Sequence, residues 1–544
     1  MPTSRGRKKS ANKRQQSNGN PSEAFDRRGA VRALLRQFGL TATDTDPIDA
    51  EVMASTVCGD GWQADGPGTD DYAPVEDLLR ASAQRSSPKA GALEFAHVAA
   101  SIVPEPALAV QAREIAGDLA ARGAREPSWS GALDQLTAVG CWTTRDVYGD
   151  STSVLCSFER AGRAHGLLIL VDHNHLGGWA KDITLVDDVV QAVALMREAA
   201  DSDEALVFDE ADPADVRRLL EDAFDATDMT WEPDVSEEFA DLRALALARL
   251  RALPDPAPRE EPAEIDDEAR AQVVREFLAS PEAADLPAGE DLEYCVRLIV
   301  NYGADYDDGK VLRVSPVKTE IFMLGWLPRK IVLSPEERAV LPQLMPAWIK
   351  WAGSRQGLSR GVLDEILEAV QWCTEHFDES YDDVHNMSPA RALLGDLPQA
   401  ETAEDLQEVL ERRMFAMPYF GTRIGDEDYP RLDPNDPDER SLLIQGEHPE
   451  YHDALEDPLF DGEIEGVDPQ LHLAMHEIVA NQLWDNDPPE VWEAARRLDA
   501  LGHDRHDILH AIGELVAKQL HAVLTAHEPF DLDDYRAGLE KLGR

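Results

Sequence analysis

The chain has 544 residues, of which 43% are hydrophobic, 105 are acidic and 52 are basic. This length exceeds what a single hydrophobic core supports, so several domains are expected. The formal net charge of −53 argues against a body that binds nucleic acid or an anionic membrane, and favours a simple role of the charge in solubility.

The cysteines and the hydropathy pattern indicate the compartment. Five cysteines are scattered without a CxxC pair, which argues against a disulfide framework or a zinc ribbon. No apolar run approaches the ~18 residues that a membrane span needs, and the N-terminal region lacks the hydrophobic segment of a signal peptide. We therefore expect a cytoplasmic protein that does not enter a membrane.

The N-terminal residues 1–28 contain eight Lys or Arg and two acidic residues. Their composition predicts a disordered basic tail. Such a tail can bind nucleic acid or a protein partner, and it can also bind the acidic body of its own chain, which is the simpler alternative. Residues 29–136 follow with apolar residues at three- and four-residue spacing, which predicts a helical region.

Residues 137–252 predict a small α+β domain. Three strand-like segments begin at residue 137 and are joined by turns at Gly149-Asp150 and Ala161-Gly162. A helix, a further strand and a second helix that starts at Asp212-Pro213 complete the domain. The strands are expected to be antiparallel, because short turns join them.

The second half of the chain predicts two linkers and two helical parts. Residues 253–269 form an acidic, proline-rich linker, and residues 270–425 form a mostly helical domain with a strand-like insert at 318–333. Ser334 and Glu337 form a capping-box pattern, and Trp348 and Trp351 share a helix face expected in the core. Residues 426–440 are a second linker before a His-rich helical bundle at 441–544. The predicted fold class is mainly α and multidomain, with the small α+β domain in the N-terminal half.

A first candidate site follows the third predicted strand. Asp172, His173 and His175 stand between that strand and Gly177-Gly178, where α/β proteins often place chemistry. They could bind a metal or act as acid and base, but Asp-His-Asn before two glycines is also ordinary turn chemistry. No GxGxxG, GxxxxGK[ST] or GxSxG motif is present, so the sequence has no nucleotide-cofactor motif and no serine-hydrolase elbow.

The sharpest pattern is a pair of histidine-rich windows, LHLAMHEIVANQ at 471–482 and HDRHDILHAIGE at 503–514. Asp468-Pro469 predicts the start of a helix that runs to about Trp484. Asp487-Pro488 predicts a second helix that ends near Leu501 before Gly502. A third helix is predicted from about Asp504 to Ala526.

Helix geometry brings the two windows together. His472 and His476 lie about 40° apart on one helix face, which the neighbouring apolar residues turn inward. An up-down-up bundle makes the first and third helices parallel, with His472 level with His503 or His506 and His476 level with His510. Two HxxxH pairs at one height suit a metal ion, and zinc or iron is the expected one.

Other residues of the third helix have weaker assignments. Glu514, one turn beyond His510, is a candidate fourth ligand, an orienting group for a histidine or a catalytic base. His503 and His521 are interpreted as solvated surface residues. The alternative for the whole set is a histidine-rich polar surface without metal.

The segment HDILH also invites comparison with the HExxH helix of zinc peptidases. Asp507 occupies the place of the catalytic glutamate, and its carboxylate is one carbon shorter. The pattern therefore does not support a zinc peptidase.

The sequence LHLAMHEIVANQL, the DNDPP turn and the HxxxH-containing helix resemble the bacterial family known as domain of unknown function 1841, over about residues 445–526. The resemblance implies a histidine pair on the first helix and a histidine pair with a following glutamate on the last. These correspond to His472, His476, His506, His510 and Glu514. The upstream segments LLILVDHNHLGGWAKD and EIFMLGWLPRK are similar to uncharacterised actinobacterial proteins. The family implies no reaction.

These observations give one leading function and two alternatives. The leading prediction is a metal-binding accessory or scaffold protein whose C-terminal bundle holds zinc or iron. A metal-dependent hydrolase that uses Glu514 or Asp172 for acid–base work is one alternative. A metal-free adaptor that binds proteins or nucleic acid through its basic tail is the other. The sequence does not decide whether the protein is an enzyme, and its partners are unknown.

Overall fold

The computed structural model describes residues 21–44, 46–62, 72–84, 90–175, 177–259, 265–394, 403–425, 427–456, 460, 462–464, 467–526 and 529–544. Most of the predicted basic tail lies outside these residues, and helix begins at Pro21. The chain divides into two compact units, the first made of the residues up to Lys318 with Gln343–Leu367, the second of Thr319–Pro342 with Glu368–Arg544. The seven-part domain division and the two linkers stay predictions.

The first unit opens with helices packed around an apolar core, as their three- and four-residue periodicity predicts. Trp129 is fully buried in this core, and its indole N–H donates to the carbonyl oxygen of Thr41 at 2.8 Å. The helices of this part are α1 (Pro21–Leu40), α2 (Ile48–Gly59), α3 (Ala73–Ser82), α4 (Ala92–Ile102) and α5 (Pro106–Ala121).

A five-stranded antiparallel sheet follows, with strand order β4-β3-β2-β1-β5. Its elements are β1 (Thr137–Asp146), β2 (Ser151–Arg160), β3 (Arg163–Asp172), β4 (Trp179–Val186), α6 (Val189–Ser202), β5 (Leu206–Ala211), α7 (Pro213–Asp228) and α8 (Phe239–Leu250). Positive φ angles at Gly149, Ala161 and Gly162 form the two predicted turns. The apolar sides of α7 and α8 pack on the sheet around Phe158, Ile169 and Phe224.

A buried ion-pair network joins the N-terminal helices to the sheet and to α8. The Glu51 carboxylate accepts hydrogen bonds from Arg160 Nη2 at 2.7 Å and from Arg249 Nη2 at 2.6 Å. Arg160 also donates to Asp46 at 2.8 Å. Burial alone would raise the pKa of Glu51, but the two guanidinium groups lower it to about 2. The carboxylate therefore stays ionised although it is buried.

The middle of the chain is helical, and the predicted strand-like insert at 318–333 is wrong. This segment forms two short α-helices on either side of a π-helical stretch, Ile321–Trp326. The Leu327 N–H donates to the Phe322 carbonyl, so one turn places these two buried side chains on the same side. The helices here are α9 (Asp267–Leu278), α10 (Glu290–Tyr306), α11 (Pro316–Glu320), α12 (Leu327–Lys330), α13 (Pro335–Gln356) and α14 (Arg360–Asp382).

Two other predictions for this region are confirmed. The capping box at the start of α13 is formed by reciprocal hydrogen bonds, from Ser334 N–H to the Glu337 carboxylate at 2.8 Å and from Glu337 N–H to Ser334 Oγ at 3.1 Å. Trp348 and Trp351 are each 1% exposed and pack edge-on against Phe277. They are core residues.

The C-terminal part of the second unit is a helical bundle with one short hairpin. Its described elements are α15 (Pro389–Leu394), α16 (Ala403–Ala416), β6 (Thr422–Ile424), β7 (Glu427–Tyr429), α17 (Pro437–Gly446), α18 (His452–Glu456), α19 (Pro469–Asp485), α20 (Glu490–Ala500), α21 (Arg505–Ala526) and α22 (Leu532–Leu539). Its core includes Val479, Leu483, Trp484 and Ile512. The mainly α fold class, with a small antiparallel sheet in the N-terminal half, is confirmed.

None of the helices in the described part of the chain combines the length and the apolar character needed to cross a bilayer.

Candidate metal centre

The helices that carry the histidines begin and end close to their predicted positions. The Asp468 carboxylate accepts from the N–H groups of Gln470 and Leu471, and Pro469 takes the first helical position of α19. Helix α20 differs from the prediction, because it starts at Glu490 with Pro489 in the N-cap position and without a side-chain cap. Gly502 has a φ of 87°, which only glycine adopts readily, and it ends the segment before α21.

Helices α19 and α21 pack against each other through an apolar seam. Val479 and Ile512 are both 0% exposed, and Gly513 lies beside Met475 and Val479. A Cβ at Gly513 would lie 3.7–4.0 Å from atoms of these two side chains, which is ordinary van der Waals contact. The histidines occupy the neighbouring stripe of each helix, so the packing of the seam fixes their positions.

The structure brings His472, His476, His506 and His510 together. One ring nitrogen of each lies within 4.8 Å of those of the others. His476 has its ring centroid 5.0 Å from those of both His506 and His510. His472 is closer to His510, at 4.9 Å, than to His506, at 6.1 Å. The four rings therefore form one interleaved cluster instead of the two level pairs expected from the sequence.

Several ring nitrogens in this cluster are buried without a hydrogen-bond partner among the residues that the structure describes. They are both nitrogens of His476 and Nε2 of His472. A neutral imidazole has one N–H donor and one lone pair, and a buried group of either kind is normally paired. His476 is only 4% exposed, and its unpaired nitrogens are compatible with binding a metal ion.

The electrostatics favour a neutral imidazole at His472, His476 and His510. Burial, reinforced by the neighbouring histidines, lowers the pKa of His476 to about 2 and that of His472 to about 4. The pKa of His510 is lowered by the same two causes. Neutral imidazoles carry the free lone pairs that bind divalent transition metals.

A fifth histidine, His448, which the sequence did not predict as a ligand, packs against the cluster, although it is not part of the group of four nitrogens that all lie within 4.8 Å of one another. Its ring centroid lies 4.8 Å from that of His472, 4.7 Å from that of His476 and 5.4 Å from that of His506. The side chain is 1% exposed, and Nε2 has no partner in the described structure. His448 and His452 make a third HxxxH pattern, which was the available signal.

The segment that carries His448 is held in place by contacts with its neighbours. Next to it, Glu447 forms an ion pair with Arg505 at 2.8 Å. Arg505 also donates to the carbonyl oxygens of Phe415 and Ala416, each at 2.6 Å. Tyr451 lies over the His448 ring, with 5.8 Å between centroids.

The other C-terminal candidates lie at the edge of the cluster or outside it. Glu514 is exposed, and its carboxylate is not part of the four-nitrogen group, although its charge acts on His510. Its role as ligand, orienting group or base stays a prediction. His503 and His521 are exposed, in agreement with their assignment to the surface.

A cavity of about 660 Å³ lies beside the cluster. His506 lines it together with Tyr419, Glu447 and Arg505. The cavity is large enough for a small molecule, which could contact the His506 imidazole there.

The candidate residues after β3 do not converge in the same way. Asp172 Oδ1 accepts from the N–H of Asn174 at 3.0 Å, which closes a turn. His173 Nε2 lies 2.9 Å from Thr152 Oγ1, and His175 stacks on Trp179 with 3.6 Å between centroids. Each side chain thus has its own partner, as the turn alternative requires. A chemical role for Asp172, His173 or His175 stays a prediction.

Comparison with known proteins agrees with the sequence resemblance of the C-terminal bundle. Residues 435–541 match the model of a family described as domain of unknown function (DUF1841). This match includes all five clustered histidines and covers the smaller part of the 544-residue chain. No curated protein and no solved structure matches the chain. The C-terminal bundle is therefore similar to a family to which no reaction is assigned.

Proposed function

We propose that the protein is a metal-binding accessory or scaffold protein, and that its C-terminal bundle holds a transition metal ion on imidazole nitrogens. The observation that carries the proposal is the buried His476 ring. Both of its nitrogens lack a hydrogen-bond partner in the described structure, and three further histidines lie around it. An ion at the centre satisfies lone pairs that would otherwise be buried without compensation.

The donor set suits zinc or iron, the two metals expected from the sequence. Imidazole binds zinc, copper, iron and nickel, whereas calcium and magnesium require oxygen ligands. Burial lowers the pKa of His472 and of His476, so an incoming ion displaces no proton from these two neutral rings.

An accessory role is supported better than hydrolysis. A hydrolase needs a free base near the metal-bound water. Two carboxylates close to the cluster are already engaged, Glu447 by Arg505 and Glu450 by His448. Glu514, the base considered from the sequence, is exposed and outside the four-nitrogen group.

Elemental analysis of the full-length protein tests the proposal. We expect about one transition metal ion per chain after gel filtration without chelator, in line with one site of imidazole ligands. The double variant His506→Ala, His510→Ala should lose the metal, and both residues are exposed, so the fold should persist. His503→Ala, on the same surface, is the matched control. Metal-free wild-type protein after growth with added zinc and iron would overturn the proposal, as would full metal content in the double variant.

A further inference from the structure

We propose that His448 is a fifth ligand, and that the five imidazoles form a square pyramid around an ion that favours six-coordination, such as iron(II), with one position open. This inference rests on the proposed metal-binding function. It goes further because it adds a ligand, selects a coordination geometry and predicts an exchangeable site.

The first argument is the orientation of the His448 ring. Its Nδ1 lies 3.2 Å from Oε1 of Glu450. An ionised carboxylate can only accept, so Nδ1 carries the proton and Nε2 carries the lone pair. Nε2 is buried and has no partner in the described part of the chain. A metal-ligating histidine typically donates its other N–H to a carboxylate in this way.

The second argument compares ring separations with those that each geometry requires. A metal–nitrogen bond of about 2.1 Å places the ring centroid about 3.2 Å from the ion. Centroids of two ligands at 90° are then about 4.5 Å apart, those of a tetrahedral pair about 5.2 Å, and those of opposed ligands about 6.4 Å. In a tetrahedral site all the distances between ring centroids are equal. In a square pyramid the distances between adjacent ligands are short and those between opposed ligands are long.

Eight of the centroid separations, from 4.4 to 5.4 Å, are nearer to the value for adjacent ligands than to that for opposed ligands, and one, at 6.1 Å, is near the value for opposed ligands. The distances from His476 to His472, His448, His506 and His510 are 4.6, 4.7, 5.0 and 5.0 Å. His476 is thus adjacent to all the others and takes the apex. The other four rings form the base. Their centroids are 4.8 Å apart for His448 and His472, and 4.9 Å apart for His472 and His510. They are 4.4 Å apart for His510 and His506, and 5.4 Å apart for His506 and His448. The 6.1 Å between His472 and His506 is the separation of opposed ligands.

The open position follows from the burial of the ligands. The apical His476 is 4% exposed, whereas two basal residues, His506 and His510, are exposed. The vacant position opposite His476 therefore lies on the more exposed side of the cluster. A water molecule or a small anion can bind the ion there.

Cobalt(II) titration of chelator-treated full-length protein tests this geometry. Four-coordinate cobalt absorbs visible light strongly, whereas five- and six-coordinate cobalt absorbs weakly. We expect one equivalent to bind with the weak spectrum, and we expect azide to change that spectrum by occupying the open position. His448→Ala should strengthen the absorption, because it removes one ligand, and should weaken cobalt binding.

Two further variants separate ligation from folding. Glu450→Gln leaves the fold intact, because the Glu450 side chain is about half exposed, and should weaken cobalt binding by about 10- to 100-fold. His452→Ala is the matched control, because both nitrogens of this buried histidine are engaged, by the Gly425 N–H and the Gln445 carbonyl. It should leave the spectrum unchanged.

The two proposals fail in different ways. A strong four-coordinate spectrum in the wild type that persists in His448→Ala would overturn the five-ligand geometry and leave metal binding intact. Wild-type protein that binds no cobalt, zinc or iron would overturn both. Unchanged binding in both His448→Ala and Glu450→Gln, with native circular dichroism, would also exclude His448 as a ligand.

Discussion

The imidazole rings of His476 and His510 lie 5.0 Å apart, centroid to centroid, on two different helices. The first ring is buried and the second is exposed. The cluster therefore reaches from the bundle core to its surface. A metal ion bound here would connect α19 and α21 at the point where the core meets solvent.

The first prediction follows from this link. Zinc or iron(II) should raise the melting temperature of chelator-treated wild-type protein, because a ligand that binds only the folded state stabilises it. The gain is about 2.7 kcal/mol when free metal is 100 times its dissociation constant. His476→Ala and His510→Ala should abolish this increase, which differential scanning calorimetry can measure.

His503→Ala and His521→Ala serve as controls, since both residues are exposed and outside the cluster. Each should retain the full metal-dependent increase. An equal loss in these variants would show that the effect of metal is not specific to the cluster.

The sequence predicts the convergence of four histidines because caps and spacing define α19 and α21. The Asp468 cap and the Gly502 stop are local signals, and both are present in the structure. His448 was missed because it belongs to neither helix, and Pro449 follows it directly. Its place beside His472 depends on how the segment after α17 folds back, which no local pattern encodes.

Two differences between the predicted and the observed secondary structure, at β4 and at 318–333, also have physical causes. The edge strand β4 was not predicted, because Lys181 and Asp182 interrupt its apolar residues. At 318–333 the apolar run suggested a strand. The segment is helical instead, and it buries the adjacent residues Phe322 and Met323 in the π-helical stretch and Leu327 at the start of α12. Tertiary burial decided the conformation there.

The second prediction concerns acid stability. The pKa of Glu51 is about 2 in the folded protein, against an ordinary value of 4.5, because Arg249 and Arg160 outweigh the effect of burial. A depressed pKa stabilises the fold above pH 4.5, and this contribution is lost as pH falls from about 5 towards 2. It amounts to about 3 kcal/mol, which urea denaturation of the full-length protein at several pH values can measure.

Glu51→Gln should remove this acid-dependent term and should cost about 3–5 kcal/mol at neutral pH, because two buried guanidinium groups lose their shared carboxylate. The exposed Glu114→Gln, in the same unit, should change little. The same pH profile in Glu51→Gln and the wild type would contradict the assignment.

The third prediction compares two glycines with nearly equal backbone angles. Gly91 has a φ of 84°, and a Cβ there would lie 1.4 Å from the Leu35 carbonyl oxygen. Gly123 has a φ of 87° with nothing within 4 Å of its Cβ position. Gly123→Ala should cost about 1–2 kcal/mol from backbone strain alone, and Gly91→Ala should cost more than about 3 kcal/mol. Equal melting temperatures of the two variants would show that the close approach of α1 to Gly91 is absent in solution.

The last prediction tests how the cluster is positioned. Arg505 joins the start of α21 to the end of α16 and to Glu447, which precedes His448. Arg505→Ala leaves the Glu447 carboxylate, 14% exposed, without this cation and removes the donors to two carbonyl oxygens. We expect a loss of about 2–4 kcal/mol in urea denaturation of the metal-free protein.

Metal affinity should fall in the same variant, because His506 follows Arg505 directly and His448 follows Glu447. Arg505→Lys should recover only part of both losses, since one ammonium group cannot reproduce the planar fork of the guanidinium. The control is Arg496→Ala, whose side chain is 60% exposed, pairs with exposed Glu408 and lies 6.0 Å from the centroid of the Trp492 ring, so its cost should be below about 1 kcal/mol. Wild-type metal affinity in Arg505→Ala would show that the histidines are positioned by the apolar seam of α19 and α21 alone.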